Sequence, residues 1–177
     1  MKTFLWRVTG AMVLNPNAYE NVEADSKATP QAALVVALAS LSAGLGTFGF
    51  SMTHLAAIMS MPLIALALWV VWAMLTYQIG AWMIPALQTQ ATPGQLRRTL
   101  GFASAPGLFQ AAAALPGLHA AVFGVTAVWM LAAMIVAVRQ ALDYTSTARA
   151  VLVCGIGWSL ALGITFIIGL FFGTALS

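Results

Sequence analysis

Few side chains in this sequence could carry out chemistry. The candidates are two histidines, one cysteine and four acids, namely His54, His119, Cys154, Glu20, Glu23, Asp25 and Asp143. A metal site needs several such ligands together, and a nucleophile needs a base beside it. The sequence contains no recognisable nucleophile–base motif and no glycine loop that could hold a phosphate. We therefore expect no catalytic, metal-binding or cofactor-binding residues, and we interpret the chain as non-enzymatic.

The composition indicates a membrane protein. Of the 177 residues, 62% are hydrophobic and only 6% are charged, whereas an ordinary soluble domain has about 25% charged residues. At about 20 residues per transmembrane helix, the length accommodates five helices with short connections. The predicted fold class is all-α: a polytopic membrane protein with a bundle of five transmembrane helices and short interfacial helices at its N-terminus. The seven Lys and Arg residues then indicate membrane orientation and not nucleic-acid binding.

Residues 1–29 are predicted to form a cytoplasmic or interfacial segment. Residues 3–14 carry an apolar stripe at helical spacing with Arg7 on the opposite side, which is typical of a helix lying in the membrane interface. Asn15 followed by Pro16 is a favourable start for a second helix. We expect Arg7 to point towards lipid headgroups and the second helix, which carries several acids, to be solvated.

Five hydrophobic segments follow, so residues 30–177 form the predicted membrane domain. Their approximate bounds are 31–50, 57–84, 99–118, 119–141 and 149–174. In the last segment, Gly155, Ser159 and Gly163 lie at i, i+4 and i+8 and therefore share one face of a helix. Because small residues let helix backbones approach closely, we expect this face to contact another helix. Cys154, in the same apolar run, is expected to be an inert packing residue.

The third segment is the least regular of the five. Thr92-Pro93-Gly94-Gln95 has the spacing of a capping box, which predicts a helix start just before a pair of arginines. Pro106 disfavours helix at the preceding residue, and Pro116 ends the apolar run. The amide of Gln110 must find a hydrogen-bond partner within the protein. We expect a proline-broken span, and the alternative is a segment that enters the membrane and returns.

The distribution of positive charge decides between these alternatives. With five crossings and an inner N-terminus, all seven Lys and Arg residues fall on the inner side. If the third segment returned, Arg139 and Arg149 would move outside. Because positively charged short loops stay in the cytoplasm, we predict five spans, a cytoplasmic N-terminus and an external C-terminus. This topology also separates His54 and His119 from all four acids, which argues against a metal site.

The charged residues near the predicted inner face could make two kinds of contact. Arg97 and Arg98 could bind acidic lipid headgroups or an acidic partner, although acting as orientation signals is the simpler role. Arg139 and Asp143 are four residues apart on a predicted helix end and could pair with each other.

One stretch resembles a family motif. Leu100-Gly101-Phe102-Ala103-Ser104-Ala105-Pro106 is similar to the Leu-Gly-Tyr-x-x-x-Pro-like segment that opens the third of five membrane helices in the Yip family (Ypt-interacting-protein domain). Leu100, Gly101 and Pro106 match that segment, with Phe102 in place of tyrosine. Leu14-Asn15-Pro16 with Tyr19-Glu20 resembles the N-terminal segment of prokaryotic members, and Trp129 with Val138-Arg139-Gln140-Ala141-Leu142 resembles their fourth helix.

The resemblance implies a five-helix domain with a cytosolic N-terminus, located in a bacterial inner membrane. Eukaryotic members bind prenylated Rab-type GTPases and each other. Their Asp-Leu-Tyr-Gly-Pro segment is missing here, which argues against Rab binding. We therefore interpret the chain as a partner-binding or organising protein of the lipid bilayer. It would contact other membrane proteins or itself through residues 1–29, 94–100 and 139–149.

The alternative function is a small channel or transporter that uses the proline-broken third span. Gln78 and Gln110 are the main polar side chains that could line such a path. No ionisable residue lies deep in a predicted span, which argues against a proton-coupled carrier but leaves a passive pore open.

Overall fold

The protein is all-helical in the computed structural model, which describes residues 2–49, 52–85 and 91–172; these contain no β-strand. The α-helices are α1 (Lys2–Met12), α2 (Pro16–Ala24), α3 (Thr29–Phe48), α4 (Leu55–Tyr77), α5 (Pro93–Ala103), α6 (His119–Ala141) and α7 (Thr147–Phe172). Short 3₁₀ turns at Ser26–Ala28 and Met52–His54 precede α3 and α4. A π-helical turn at Gln78–Met83 extends α4, and a ten-residue 3₁₀ segment, Ala105–Ala114, follows α5.

Four helices in the described part of the chain are long and apolar enough to cross a membrane. They are Ser26–Phe48, Leu55–Met83, His119–Ala141 and Thr147–Ile164. They correspond to the first, second, fourth and fifth predicted spans, although the predicted ends at residue 50 and residues 173–174 lie outside the described residues. The third predicted span is not among the four, because it is divided between α5 and the 3₁₀ segment.

Local sequence signals explain both ends of α5. The Thr92 backbone N–H donates to Gln95 Oε1 at 2.6 Å, and the Gln95 N–H donates to Thr92 Oγ1 at 3.3 Å, so the predicted capping box is confirmed. The helix ends at Ala103, two residues before the position that Pro106 disfavours. Pro106 lacks the N–H needed to continue an α-helix, and the chain goes on as the 3₁₀ segment.

Small residues bring the central elements close together. α3 packs on α4, on α5 and, most extensively, on the 3₁₀ segment. A Cβ atom added to Gly101 would lie 2.7 Å from the Cβ of Ala32, and one added to Gly46 would overlap the carbonyl oxygen of Gln110. These contacts exist only because both positions are glycine, as expected where membrane helices approach closely.

The predicted contact face of α7 is wrong as an intramolecular contact. Among the residues that the structure describes, no atom of a neighbouring element lies within 4 Å of a Cβ built on Gly155 or Gly163. The buried side of α7 instead contains Ala150, Val153 and Cys154. Small-residue spacing therefore identifies a helix face without identifying what covers it.

Candidate functional site at the polar end of the bundle

The two ends of the bundle differ in chemistry. At one end, where α3 stops and α4 and α6 begin, His54 stacks on Phe48 and His119 packs on Phe123, with ring centroids 4.9 and 4.8 Å apart. At the other end, α2, the start of α5 and the end of α6 meet through charged and amide side chains. We call the second end the polar end. No three His, Cys, Asp or Glu residues in the described ranges are grouped so that they could hold a metal ion.

Helices α1 and α2 form a hairpin that packs on the bundle. Its turn places Leu14 at a φ of 60°, and Gly10 lies against Ala18. Tyr19 is fully buried and donates its hydroxyl to the Ala11 carbonyl at 3.2 Å. The prediction that α2 is a solvated helix is therefore wrong, because Ala18, Tyr19 and Val22 form one buried face. We call residues 2–24 the N-terminal hairpin.

Arg7 lies inside this arrangement. It is only 4% exposed. Its guanidinium donates to Asn21 Oδ1 at 2.8 Å, to Gln31 Oε1 at 3.0 Å and to Asp25 Oδ2 at 2.8 Å. The hydrogen bond from Arg7 lowers the pKa of the Asp25 carboxyl below its usual value. Arg7 thus joins α1 to α2 and to the start of α3, which corrects the expectation that it points towards lipid.

Arg98 is directed towards α2. Its guanidinium donates to the carbonyl of Val22 at 3.2 Å and also to the carbonyl of Glu23. These carbonyls belong to the last turn of α2, where backbone acceptors lack helical partners and a positive charge is favourable. The structure therefore uses Arg98 to hold the N-terminal hairpin, a role that sequence reasoning did not assign to it.

Arg97 joins α5 to α4 through its backbone. Its carbonyl accepts the indole N–H of Trp69 at 2.9 Å, which ties α5 to α4. Its Nε is buried and has no hydrogen-bond partner among the residues that the structure describes.

Glu23 links α2 to the capping box of α5. The Gln95 side-chain amide donates to Glu23 Oε1 at 2.9 Å, while the Gln95 oxygen accepts from Thr92. Burial raises the pKa of the Glu23 carboxyl to about 7, and the nearby Asp143 adds to this effect while Arg98 opposes it. A half-buried carboxyl of this kind changes its charge near neutral pH.

The loop between α6 and α7 completes the polar end. Arg139 donates to the Tyr144 carbonyl at 3.3 Å and to the Thr147 hydroxyl at 3.1 Å, so its guanidinium closes the loop that contains Asp143. The Tyr144 hydroxyl lies 2.8 Å from the Gly80 carbonyl and 2.7 Å from the Ile84 carbonyl. The Tyr144 hydroxyl therefore binds backbone carbonyl groups at the end of the π-helical turn, where the carbonyls are free to accept a hydrogen bond.

A cleft of about 570 Å³ lies among these elements. Its charged lining consists of Glu20, Glu23, Asp143 and Arg139, and the Gln140 amide donates to Glu20 Oε1 at 2.9 Å. Three carboxyl groups facing one guanidinium give the cleft an acidic character. The cleft brings together two predicted contact residues, Arg139 and Asp143, whereas Arg97 and Arg98 do not line it.

The two glutamines proposed for a polar path are far apart. The Gln110 amide donates to Thr126 Oγ1 at 3.2 Å, whereas Gln78 is exposed two residues before Gly80, which lies against Leu142. Thr126 and Leu142 are sixteen residues apart along α6, about 24 Å at 1.5 Å per residue. Gln110 borders a cavity of about 450 Å³ whose other lining is mostly apolar and includes three tryptophans, Trp69, Trp72 and Trp158.

The family-like residues have packing roles. Phe102 is fully buried and meets Phe4 of α1 edge to face, with ring centroids 6.3 Å apart. Leu100, Gly101 and Pro106 are also buried, and Pro116 is exposed in the turn before α6. Phe102 thus contacts the N-terminal hairpin, and Gly101 allows the close contact with α3.

The sequence did not reveal that Trp129 contacts the N-terminal hairpin. The Trp129 indole donates to the Met12 carbonyl at 2.7 Å across 117 residues of sequence. Its ring also stacks on Phe109. An indole donor in an apolar helix requires an acceptor, and this requirement was the only available signal.

No protein-family model, curated protein or solved structure matches this chain. The geometry of the polar end therefore carries the functional argument.

Proposed function

We propose that this protein is a non-enzymatic, five-span membrane protein of the Yip type that binds another membrane protein at the polar-end cleft. The observation that carries the proposal is the cleft itself, in which Glu20, Glu23 and Asp143 face a common space of about 570 Å³. The partner chemistry that fits is a basic segment next to a transmembrane helix. Exposed ion pairs contribute only about 0.2–1 kcal/mol each, so several are needed together.

In this proposal α5 and the 3₁₀ segment together form the third span along the chain, which brings the number of crossings to five. Eleven α-helical residues and ten 3₁₀ residues cover about 36 Å at rises of 1.5 and 2.0 Å, against about 30 Å of hydrocarbon. Contacts of Gly101 with Ala32 and of Gly107 with Ala39 show that this pair of elements runs alongside α3 in the same direction.

The proposed orientation has the polar end in the cytoplasm and the C-terminus outside, in a bacterial inner membrane. A reporter that is active only outside the cytoplasm should work when fused after Ser177 and fail when fused after Ala91. The reverse pattern would overturn the orientation but not the location of the cleft.

Photocrosslinking tests the partner site. A photoreactive phenylalanine analogue at Ala24 or Thr145, both in the cleft wall, should give a discrete adduct with another membrane protein in cells. The matched control is Ser159, which is exposed on α7 away from the cleft. The variant Glu20→Lys should weaken the adduct by repelling a basic partner.

Three results would count against the proposal. Identical adducts from the cleft and from Ser159 would show that the cleft has no special role, and the absence of any protein adduct would remove the partner. An adduct strengthened by Glu20→Lys would contradict its basic chemistry. A product of twice the mass of the chain would identify the partner as a second copy.

A passive channel for a small solute is the second candidate, favoured by the cavity beside Gln110. Its mostly apolar lining suits an uncharged solute better than an ion. Flux across vesicles containing the protein, reduced by Gln110→Ala, would support this function; equal flux with and without the protein would exclude it.

A further inference from the structure

The tip of the N-terminal hairpin lies deep along the bundle. The Met12 carbonyl accepts its hydrogen bond from Trp129, which is ten residues from either Arg139 or His119. Ten helical residues correspond to about 15 Å. Because helical side chains lean towards the N-terminus of their helix, the Trp129 indole lies still further from the polar end. The hairpin turn therefore sits beside the middle of a membrane-spanning helix.

The backbone of this turn is suited to an environment without water. The N–H groups of residues 13–15 donate to the carbonyls of Thr9, Ala11 and Gly10 at 2.9–3.2 Å, and the next residue is a proline. The exposed hydroxyl of Thr9 also donates to its own helix, to the Leu5 carbonyl at 2.9 Å. In hydrocarbon, backbone donors must be satisfied internally, and this turn fulfils that condition.

The hairpin exposes an apolar side chain at its turn. Val13, at the turn, is 72% exposed, and Val128, on α6 next to Trp129, is 70% exposed. The exposed surface of the turn thus lies at the same depth as the exposed apolar side chain of Val128 in the middle of α6. Arg7 lies nearer the other end of the hairpin, enclosed by Asn21, Asp25 and Gln31. Asn15 and Asn17 are the polar residues at the turn, where Asn15 Oδ1 accepts the Asn17 backbone N–H at 3.0 Å.

We propose that the N-terminal hairpin is a re-entrant membrane element whose turn, residues 13–15, contacts lipid hydrocarbon within one leaflet. Arg7 holds the hairpin in this position by joining α1 to residues at the polar end of the bundle. The occupant of the exposed apolar surface is the acyl chains of the surrounding lipid. This inference does not depend on which side of the membrane the polar end faces, or on the partner proposed for the cleft.

Depth-dependent fluorescence quenching tests the proposal on the full-length protein. In a Cys154→Ala background, a single cysteine at residue 13 is labelled with an environment-sensitive dye and the protein is placed in phosphatidylcholine vesicles. Lipids carrying a quencher at carbon 12 of the acyl chain should quench the dye more than lipids carrying it at carbon 5, and aqueous iodide should have little effect.

Two labelled variants provide the matched controls. Val128→Cys should give the same order of quenching as Val13→Cys, because both positions lie at one level. Lys27→Cys, which is exposed near the start of α3, should respond to iodide and show no preference for the deep quencher. Adding Arg7→Gln to Val13→Cys should shift the label towards the pattern of Lys27→Cys.

Either of two other patterns overturns the proposal. Strong iodide quenching at position 13 on the unaltered Arg7 background would place the turn in water. Insensitivity to both lipid and aqueous quenchers would place it in a protein interface, such as one with a second copy. Retention of the Val128→Cys profile in either case would show that the protein is folded and inserted.

Discussion

Helices α3 and α7 are similar in composition but differ in how closely their glycines are packed. Both are apolar and rich in small residues, and both belong to the four helices able to cross a membrane. In α3, Gly44 and Gly46 lie against neighbouring elements. In α7, Gly157 lies against Trp72, whereas a Cβ built on Gly155 or Gly163 has no neighbouring element within 4 Å among the described residues. Because lipid tails solvate apolar side chains as well as protein does, packing in a membrane arises from close fit and hydrogen bonds and not from hydrophobicity. Hydrophobic content therefore does not reveal which helix is packed.

The largest expected effect comes from filling the tightest contact of α3. Gly46→Ala places a methyl group on the Gln110 carbonyl oxygen, a backbone atom that cannot move independently, and should destabilise the protein by about 1–3 kcal/mol. Gly155→Ala is the matched control, since its new methyl group meets open space. It should be neutral or slightly stabilising, by up to about 1 kcal/mol of helix propensity. Reversible unfolding in mixed detergent micelles measures the stability of both variants. Equal losses of unfolding free energy would show that these glycines of α3 and α7 do not differ in packing.

The features that sequence predicted are those governed by neighbouring residues. The capping box at Thr92, the helix end before Pro106 and the bounds of α6 at His119–Ala141 follow from caps, proline geometry and apolar length. Each of these depends on a few consecutive side chains, and consecutive side chains can be read directly. The four long helices were predictable for the same reason.

The features that sequence did not predict depend on distant partners. Arg7 finds its acceptors 14, 18 and 24 residues away, and Arg98 finds its acceptors 75 and 76 residues away. An arginine on the polar face of a short helix is equally compatible with headgroups and with a buried network. Only the packing of α2 against α5 distinguishes these two environments of the arginine, and this packing is a tertiary contact.

A smaller effect tests the contact between α1 and α2 within the N-terminal hairpin. Tyr19→Phe removes the hydroxyl that donates to Ala11 while keeping the ring, and should cost about 0.5–1.5 kcal/mol of unfolding free energy. Tyr77→Phe, at a half-buried position on α4, is the matched control and should cost less. A neutral Tyr19→Phe would mean that this hydrogen bond contributes little to holding α1 against α2.

The smallest expected effect is a pH dependence at the margin of the packed region. The folded protein holds the Glu23 carboxyl at a pKa of about 7, above its ordinary value of 4.5. Between these values the folded state binds more protons than the unfolded state, so stability should fall as pH rises from about 4.5 to 7. Solvent screening and Arg98 keep the change small.

Two variants separate Glu23 from other titrating groups. Unfolding measured at pH 5 and pH 8 should show a reduced pH dependence for Glu23→Gln. Glu20→Gln, one turn earlier on the exposed side of α2, should retain most of the wild-type dependence, because the Glu20 charge is only a lesser cause of the raised pKa of Glu23. A wild-type slope in Glu23→Gln would assign the titration to another group.

The hydrogen bonds of the N-terminal hairpin also constrain the order in which parts of the protein assemble. Residues 2–24 are synthesised before their partners Gln95, Arg98, Trp129 and Gln140. At 5–20 residues per second, the delay between Ala24 and Gln140 is on the order of ten seconds. Until Gln140 has been made, the hairpin lacks its full set of hydrogen bonds to α6. The hairpin therefore completes its docking only after α5 and α6 have been synthesised.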